Sequence, residues 1–369
     1  MFRERQTGFH YVQPTQSGVY MSSAAASSRY VLVTGVAGFL GSHLLDRLLS
    51  AGHRVIGIDD LSKGSLSNIA GQMGHPAFRF LERDVTDPKV FADIVEDVEY
   101  IVHLASHKIP RYGNALATLQ VNTRGCEQVL EFARKVGCKT VIASTSDVYG
   151  RNPKLPFGED DDSVFGSSKV ARWGYAVSKL YTEHLGFAYQ EAYGLPVSIL
   201  RFFGSYGPRN HVSWWGGPQA VFIDAILHDR EITIHGDGLQ TRSFTYVSDT
   251  VEGIYAAMVT PAAYGEILNI GTTHEVTILE LARTIHRLAG TPWPLKSTFV
   301  PYQSFTGGKY EDVRRRVPNI ERSQRILGVT ARVGLEEGLT HTINWQRALS
   351  VPVAVASEAP RLQETAVRV

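Results

Sequence analysis

Short runs of β-branched and aliphatic residues alternate with stretches of helical hydrophobic spacing along most of this chain, and that alternation predicts its architecture. Tyr30-Val-Leu-Val-Thr34 reads as a buried first strand and Phe39 to Ala51 as the helix that follows it. Near-continuous apolar runs recur at Arg54–Asp59, Phe78–Leu81, Tyr100–Leu104, Thr140–Ser144 and Val197–Arg201, with helical spacing in most of the intervals. Strands of that kind are covered on both faces, and strands joined through helices run parallel. The expected class is α/β, with a doubly wound parallel sheet. Beyond about Gly204 the periodicity loosens into Gly, Pro and aromatic residues, with helices predicted near Val221–Asp229, Asp249–Val259 and Thr277–Ala289. The chain thus divides into an extension over 1–28, a sheet domain over 29–203, a smaller lobe mainly over 204–350 and a tail over 351–369.

Composition narrows the picture without naming a chemistry. Hydrophobic residues make up 43% of the chain, enough for a sizeable core, and the net charge of +1 offers no broad footprint for nucleic acid or an anionic membrane. Residues 1–28 lack the apolar run of a signal peptide, and Met21 opens a second plausible start. No stretch approaches the roughly 18 apolar residues of a membrane span. The expectation is a globular cytoplasmic protein. Cys126 and Cys138 belong to no ligand cluster, so they read as reduced, buried thiols, and no metal site is expected.

The first chemical signal is a glycine-rich turn. Gly35, Gly38 and Gly41 directly follow the first strand and open its helix, and Asp59 closes the next strand 18 residues after Gly41. Glycines let the backbone approach a pyrophosphate, the helix N-terminus presents unpaired N–H groups to it, and an acid at Asp59 suits a ribose diol. A merely structural strand-to-helix turn is the alternative. A carboxylate at Asp59 would repel a 2′-phosphate, which favours NAD over NADP, although the adjoining Lys63 works the other way. Asp84 follows the third strand and either reaches the adenine or caps a turn. The sheet domain therefore reads as a Rossmann-type NAD-binding domain.

Tyr175 and Lys179, in Gly174-Tyr-Ala-Val-Ser-Lys179, lie one helical turn apart on one face. That pair means either an exposed helix face or, together with the glycine turn, nicotinamide redox chemistry. At these residues the chain resembles the extended short-chain dehydrogenase/reductases, and within them the NAD-dependent nucleotide-sugar epimerases, dehydratases and decarboxylases. The resemblance runs from about Tyr30 to Gln346. It is carried by Val33-Thr-Gly-Val-Ala-Gly-Phe-Leu-Gly-Ser-His43, His103-Leu-Ala-Ser106, Val121-Asn122, Ser144-Thr-Ser-Asp-Val-Tyr-Gly150, Tyr175-x-x-x-Lys179, Tyr206-Gly-Pro-Arg209, Gln240-Thr-Arg-Ser-Phe244, Tyr246-Val-Ser-Asp249 and Asn269-Ile-Gly271.

The resemblance implies roles. Tyr175 would be the acid/base for a sugar hydroxyl, Lys179 would lower its pKa and hold the nicotinamide ribose, and Thr145 would complete the proton relay. Phe39, Leu40, Val85, Leu104, Ala105 and Asn122 would join the three glycines, Asp59 and Asp84 around the cofactor. Ser146, Arg209, Arg242, Asp312 and Arg314 would hold the nucleotide sugar, with Arg315 and Arg316 as a solvated basic run. Gly204 and Lys309 depart from the family pattern, standing where relatives carry Asn and Arg. A homodimer through the helix bearing Tyr175 and the helix around Arg124–Val136 would also follow.

Thr145-Ser146-Asp147 bears on the outcome at the sugar. Dehydratases place Asp-Glu and decarboxylases Ser-Glu at the last two positions, whereas this chain has Ser-Asp. Asp147 is either an active-site acid or a turn cap. The expected function is a UDP-sugar 4-epimerase acting through a 4-keto intermediate, with decarboxylation of a UDP-glucuronate-like sugar as the alternative and a non-catalytic NAD sensor as a third reading. Arg172, Trp214 and Trp215 suit a uronic acid if the arginine clamps its carboxylate; otherwise they are a surface ion pair and loop packing.

Overall fold

The computed structural model describes residues 29–108, 114–301, 304 and 312–350; the extension over 1–28, the tail over 351–369 and Lys309 lie outside the described residues. The chain builds β1 (Tyr30–Thr34), α1 (Phe39–Ser50), β2 (Arg54–Asp59), α2 (Leu66–Ile69), β3 (Phe78–Glu82), β4 (Val98–His103), α3 (Ala115–Val136), β5 (Lys139–Thr145), α4 (Arg172–Tyr193) and β6 (Val197–Phe202). There follow β7 (Ser205–Tyr206), α5 (Pro218–Leu227), β8 (Ile232–His235), β9 (Thr241–Ser243), β10 (Thr245–Tyr246), α6 (Val247–Val259), β11 (Ile267–Ile270), β12 (Glu275–Thr277), α7 (Ile278–Ala289), β13 (Ser297–Val300), α8 (Glu321–Leu327) and α9 (Leu335–Ser350). β1 to β6 and β11 form a seven-stranded parallel sheet in the order β11-β6-β5-β4-β1-β2-β3.

The two-residue period of a strand sends alternate side chains to opposite faces. In β1, Val31 and Val33 pack with Leu44, Leu45 and Leu48 of α1 and Ile254 and Met258 of α6. Leu32, between them, joins Cys126, Val129 and Leu130 of α3 on the other face. Both cysteines are buried and free, and burial pushes both thiols up to about 12, as inert structural thiols require. α3 starts at Asn114, whose side chain accepts from the N–H groups of Leu116 and Ala117, and ends at Gly137 in the left-handed region.

The smaller lobe packs α5, α7 and α9 around Phe222, Ile223, Ile234, Leu281, Ile285 and Leu339. Residues 204–350 do not stay in it. α6 and β11 return to the large sheet, where β11 forms its edge against β6, so the division at residue 204 marks where the chain first leaves the sheet and not a clean boundary. Strand order reverses between β1 and β4, and side chains at the carboxyl ends of those strands open onto a cavity of about 880 Å3.

Candidate active site

At the reversal point Gly35 adopts φ +75°, and a Cβ there would stand 2.7 Å from the backbone nitrogen of Ala105. A Cβ on Gly41 would fall inside the carbonyl oxygen of Gly35. Gly38 begins α1 with no side-chain cap, so the first N–H groups of the helix face the cavity without competition from a side chain. Asp59 is 7% exposed; its carboxylate accepts from the N–H groups of Ala37 and Leu61, each at 2.9 Å. Burial raises its pKa and these two donors oppose the rise. A backbone cradle, a free helix N-terminus and a buried acid at the next strand end fit a dinucleotide.

Phe39, Leu40, Val85, Leu104 and Ala105 border the same cavity. Asp84 does not: it is exposed and accepts from Thr86 N at 2.8 Å, the turn-capping alternative. Asn122 is also absent from the cavity wall. It is 1% exposed and braces the loop after β4, its amide nitrogen donating to His107 O and Ser178 Oγ, both at 2.9 Å, and its oxygen accepting from His107 N at 2.8 Å. Lys63 lies 4.6 Å over the ring of Trp215, and both side chains line the cavity. His103 is fully buried against Thr34 Oγ1 at 2.8 Å, and burial pushes its pKa down to about 3, which makes it structural.

Thr145 ends β5, and Tyr175 and Lys179 project from α4 beside it. The Tyr175 phenol and the Thr145 side chain face the same cavity, and Lys179 Nζ donates to Ala143 O at 2.9 Å. One expectation is corrected here. The phenol pKa is raised above its ordinary value, because burial and the neighbouring Asp147 outweigh the Thr145 side chain and the Arg316 charge. Lys179 points its ammonium at a carbonyl, and burial lowers its own pKa to about 8.

A base whose pKa is depressed by folding costs stability while it is charged. Between about 8 and the ordinary 10.5 the unfolded chain binds more protons, so stability rises with pH across that window. Lys179→Met will therefore stabilise the cofactor-free protein at pH 7 by about 1–2 kcal/mol while abolishing turnover. Calorimetric melting at pH 7 and pH 10 checks this: the gain shrinks at the higher pH, and a variant that melts below the parent at pH 7 would contradict it.

Beside Tyr175 lies a compact group of charges. Asp147 Oδ1 receives Arg316 Nη2 at 2.7 Å and Arg172 Nη2 at 3.4 Å. Asp312 Oδ1 receives Arg242 Nη2 at 3.0 Å and Arg172 Nη1 at 3.2 Å. Among the described residues, three guanidiniums thus meet two carboxylates. Arg172 is 10% exposed, which excludes a surface pair. Arg316 lines the cavity and is 16% exposed; burial, with Arg242 and Arg172, lowers its pKa to about 10, still cationic at neutral pH.

This placement corrects the reading of the basic run. Arg314 is 60% exposed and bonds Asp237 at 2.8 Å outside the cavity, while Arg316 occupies the site. The backbone bends at Arg314, so the alternation expected of an extended segment breaks there. No local pattern separates the two arginines: Val313 and Val317, both 6% exposed, keep the parity of an alternating segment, which would put Arg314 and Arg316 together on its other face. Arg209, at φ +62°, borders the cavity but bonds Asp46 of α1 at 2.7 Å. Gly204 has a structural reason for replacing Asn, since its φ is +47° and a Cβ would fall on the carbonyl oxygen of Ser243.

The smaller lobe completes the cavity with Trp214, stacked on His235 at 4.8 Å, and with Trp345 of α9. Gln219 Oε1, Gln240 Oε1 and Ser243 Oγ are buried and lack hydrogen-bond partners among the described residues, and all three side chains line the cavity. Ser146 and Arg242 border it as well. No group of three or more His, Cys, Asp or Glu capable of holding a metal occurs among the described residues, and no described helix is long and apolar enough to cross a membrane.

Comparison with known proteins agrees with this geometry. The chain is 35% identical over 322 residues to a UDP-N-acetyl-alpha-D-glucosaminuronate decarboxylase of Bacillus cytotoxicus, covering 86% of this chain and 98% of the relative. Among solved structures it resembles a UDP-glucose 4-epimerase of Thermotoga maritima with a TM-score of 0.77 at 30% identity, covering 87% and 99% of the two chains. It also resembles the UDP-glucuronic acid 4-epimerase of Bacillus cereus in complex with UDP-glucuronic acid and NAD, with a TM-score of 0.76, 28% identity and coverage of 87% and 99%. Residues 31–271 match the model of the NAD dependent epimerase/dehydratase family. With the dinucleotide cradle, the Tyr175 and Lys179 pair and the parallel sheet all in place, this chain belongs to that family, and NAD is its cofactor.

Proposed function

We propose that the protein oxidises C4 of a UDP-hexuronate and releases the C6 carboxylate as carbon dioxide, giving a UDP-pentose. The observation that carries this reading is Arg316, cationic, mostly buried and in the cavity wall beside Asp147 and Tyr175. A buried guanidinium fork recognises a carboxylate far better than a hydroxymethyl group. The decarboxylase relative supports the same outcome.

NAD, held by the Gly35 to Gly41 cradle and Asp59, would take hydride from C4 and return it. The residues of this chain do the rest. Tyr175, with Thr145 in the same cavity wall, takes the C4 hydroxyl proton as hydride departs. The resulting 4-keto acid has its carboxylate β to a ketone, so cleavage of the C5–C6 bond leaves electrons that spread onto the C4 oxygen, where Tyr175 and Thr145 supply hydrogen bonds. A proton from solvent adds at C5, and the C4 oxygen recovers its proton from Tyr175. Arg316 orients the carboxylate, and Asp147 in turn orients Arg316. Gln219, Gln240, Ser243 and the Trp214 face provide polar and stacking contacts for the nucleotide, with Arg242 towards its diphosphate.

Epimerisation is the second reading. It is favoured by Asp147, one methylene shorter than the Glu that the family's decarboxylases carry, and by the epimerase structures. A panel of UDP-glucuronate, UDP-N-acetylglucosaminuronate and UDP-glucose separates uronates from neutral sugars. The proposal expects kcat/KM for the better uronate to exceed that for UDP-glucose by roughly a hundredfold or more. Equal use of UDP-glucose would overturn it.

We further propose a homodimer through α3 and α4, where Leu116, Leu119, Val177 and Tyr181 stand exposed at 61%, 37%, 46% and 42%. A monomer by sedimentation at micromolar concentration would contradict that.

A further inference from the structure

Tyr175, Lys179 and Glu183 stand four residues apart on α4 and share one face. The last two hold the end of β5 and the first faces its final residue. Lys179 Nζ donates to Ala143 O at 2.9 Å, Ser144 Oγ donates to Glu183 Oε1, and Tyr175 shares the cavity wall with Thr145. The third rung is anchored from behind. Glu183 is 2% exposed and receives a fork from Arg201, with Nε to Oε1 at 3.0 Å and Nη2 to Oε2 at 2.7 Å. Arg201 is 4% exposed on β6, in register with Ser144 of β5, and its remaining Nη1 donates to Glu159 O at 3.0 Å.

A buried ion pair is a weak stabiliser, because desolvation offsets most of the Coulomb attraction and an apolar pair of similar volume does as well. Stability alone therefore gives little reason for one at this place. We infer that Glu183 is a positioning residue for C4 oxidation, which holds the end of β5 through Ser144 so that Thr145 meets Tyr175 in reactive alignment. Glu183 does not touch the cavity itself. Its charge also favours the ammonium form of Lys179, in opposition to burial. The inference rests on the reading of Thr145 and Tyr175 as the proton-transfer pair. It does not depend on whether decarboxylation or epimerisation follows, since both begin with oxidation at C4.

The test uses the full chain loaded with NAD and four variants: Ser144→Ala, Ser144→Thr, the double variant Glu183→Leu with Arg201→Met, and Tyr175→Phe as reference. The double variant replaces the buried pair with apolar side chains of similar volume and so removes the grip without leaving a lone buried charge. Ser144→Ala and the double variant should keep NAD affinity by calorimetry and substrate KM within about threefold, while the rate of C4 oxidation falls roughly tenfold, since small misplacements of reacting groups cost rate more than binding. The double variant should also move the alkaline limb of the rate profile to lower pH, because loss of the anion makes the Lys179 proton easier to remove. Ser144→Thr, which restores a hydroxyl, should recover most of the rate. Parental rates in both variants, or rate losses that only follow a falling melting temperature and NAD affinity with an unmoved pH limb, would overturn the inference. A Tyr175→Phe variant that turns over like the parent would instead remove the proton-transfer pair and the inference with it, a result distinct from parental Ser144→Ala beside inactive Tyr175→Phe.

Discussion

Tyr175→Phe will lose turnover by roughly a hundredfold or more, while NAD and nucleotide-sugar affinities stay within about threefold of the parent. Only the phenolic oxygen is removed, and Tyr175 carries that oxygen in the cavity wall that it shares with Thr145 at the end of β5. In the cofactor-free site burial and Asp147 favour the protonated phenol. Proton transfer therefore depends on the charges gathered in the loaded site, including Lys179 and Arg316. Removing the oxygen leaves those charges in place but with no proton carrier between them and C4. Stopped-flow absorbance of the reduced nicotinamide in a single turnover reads the oxidation step directly, and calorimetry reads binding. A variant that oxidises substrate at the parental rate would exclude Tyr175 as the acid/base.

Arg316→Gln will reduce turnover of a uronate by roughly a hundredfold, whereas Arg314→Gln, two residues away, will change it by less than about twofold. Glutamine keeps part of the length of arginine but offers no charge, so the carboxylate of the substrate and Asp147 lose their shared partner. Arg314 bonds Asp237 on the exposed side of the bend. The comparison separates a site role from a loss of general positive charge, since both variants remove the same charge. A large effect at Arg314 beside a small one at Arg316 would reverse the assignment. Melting temperatures of the two variants guard against a folding defect, because Arg316 is mostly buried and Arg314 is not.

Local patterns made much of the fold legible. The strands from β1 to β6 announce themselves as apolar runs, because a sheet covered on both faces leaves no polar alternation, and the glycines at 35, 38 and 41 mark a turn that side chains would block. Return of α6 and β11 to the sheet was not legible, since a strand of four residues, Ile267–Ile270, at the edge of a sheet carries the same local signal as a strand of the smaller lobe. Thr145, Asp147, Tyr175 and Lys179 border one cavity, yet Tyr175 sits in an environment that raises its pKa, which depends on distances that sequence spacing does not contain. Asn122 illustrates a different limit. The resemblance put it beside the cofactor, but whether its amide faces inward or ties down the loop at His107 is decided by tertiary contacts. Arg316 was misjudged because a single bend at Arg314 exchanges which arginine of the run turns inward.

The fate of C5 and C6 tests the central claim most directly. NAD-loaded protein turning over UDP-glucuronate in deuterium oxide should release carbon dioxide and yield a UDP-pentose that carries one solvent deuteron at C5 and the original hydrogen at C4, read by mass spectrometry and proton NMR. That pattern follows from C5–C6 cleavage, protonation at C5 and return of the same hydride. A product of unchanged mass, with C4 inverted and no deuterium at C5, would contradict decarboxylation and establish the epimerase.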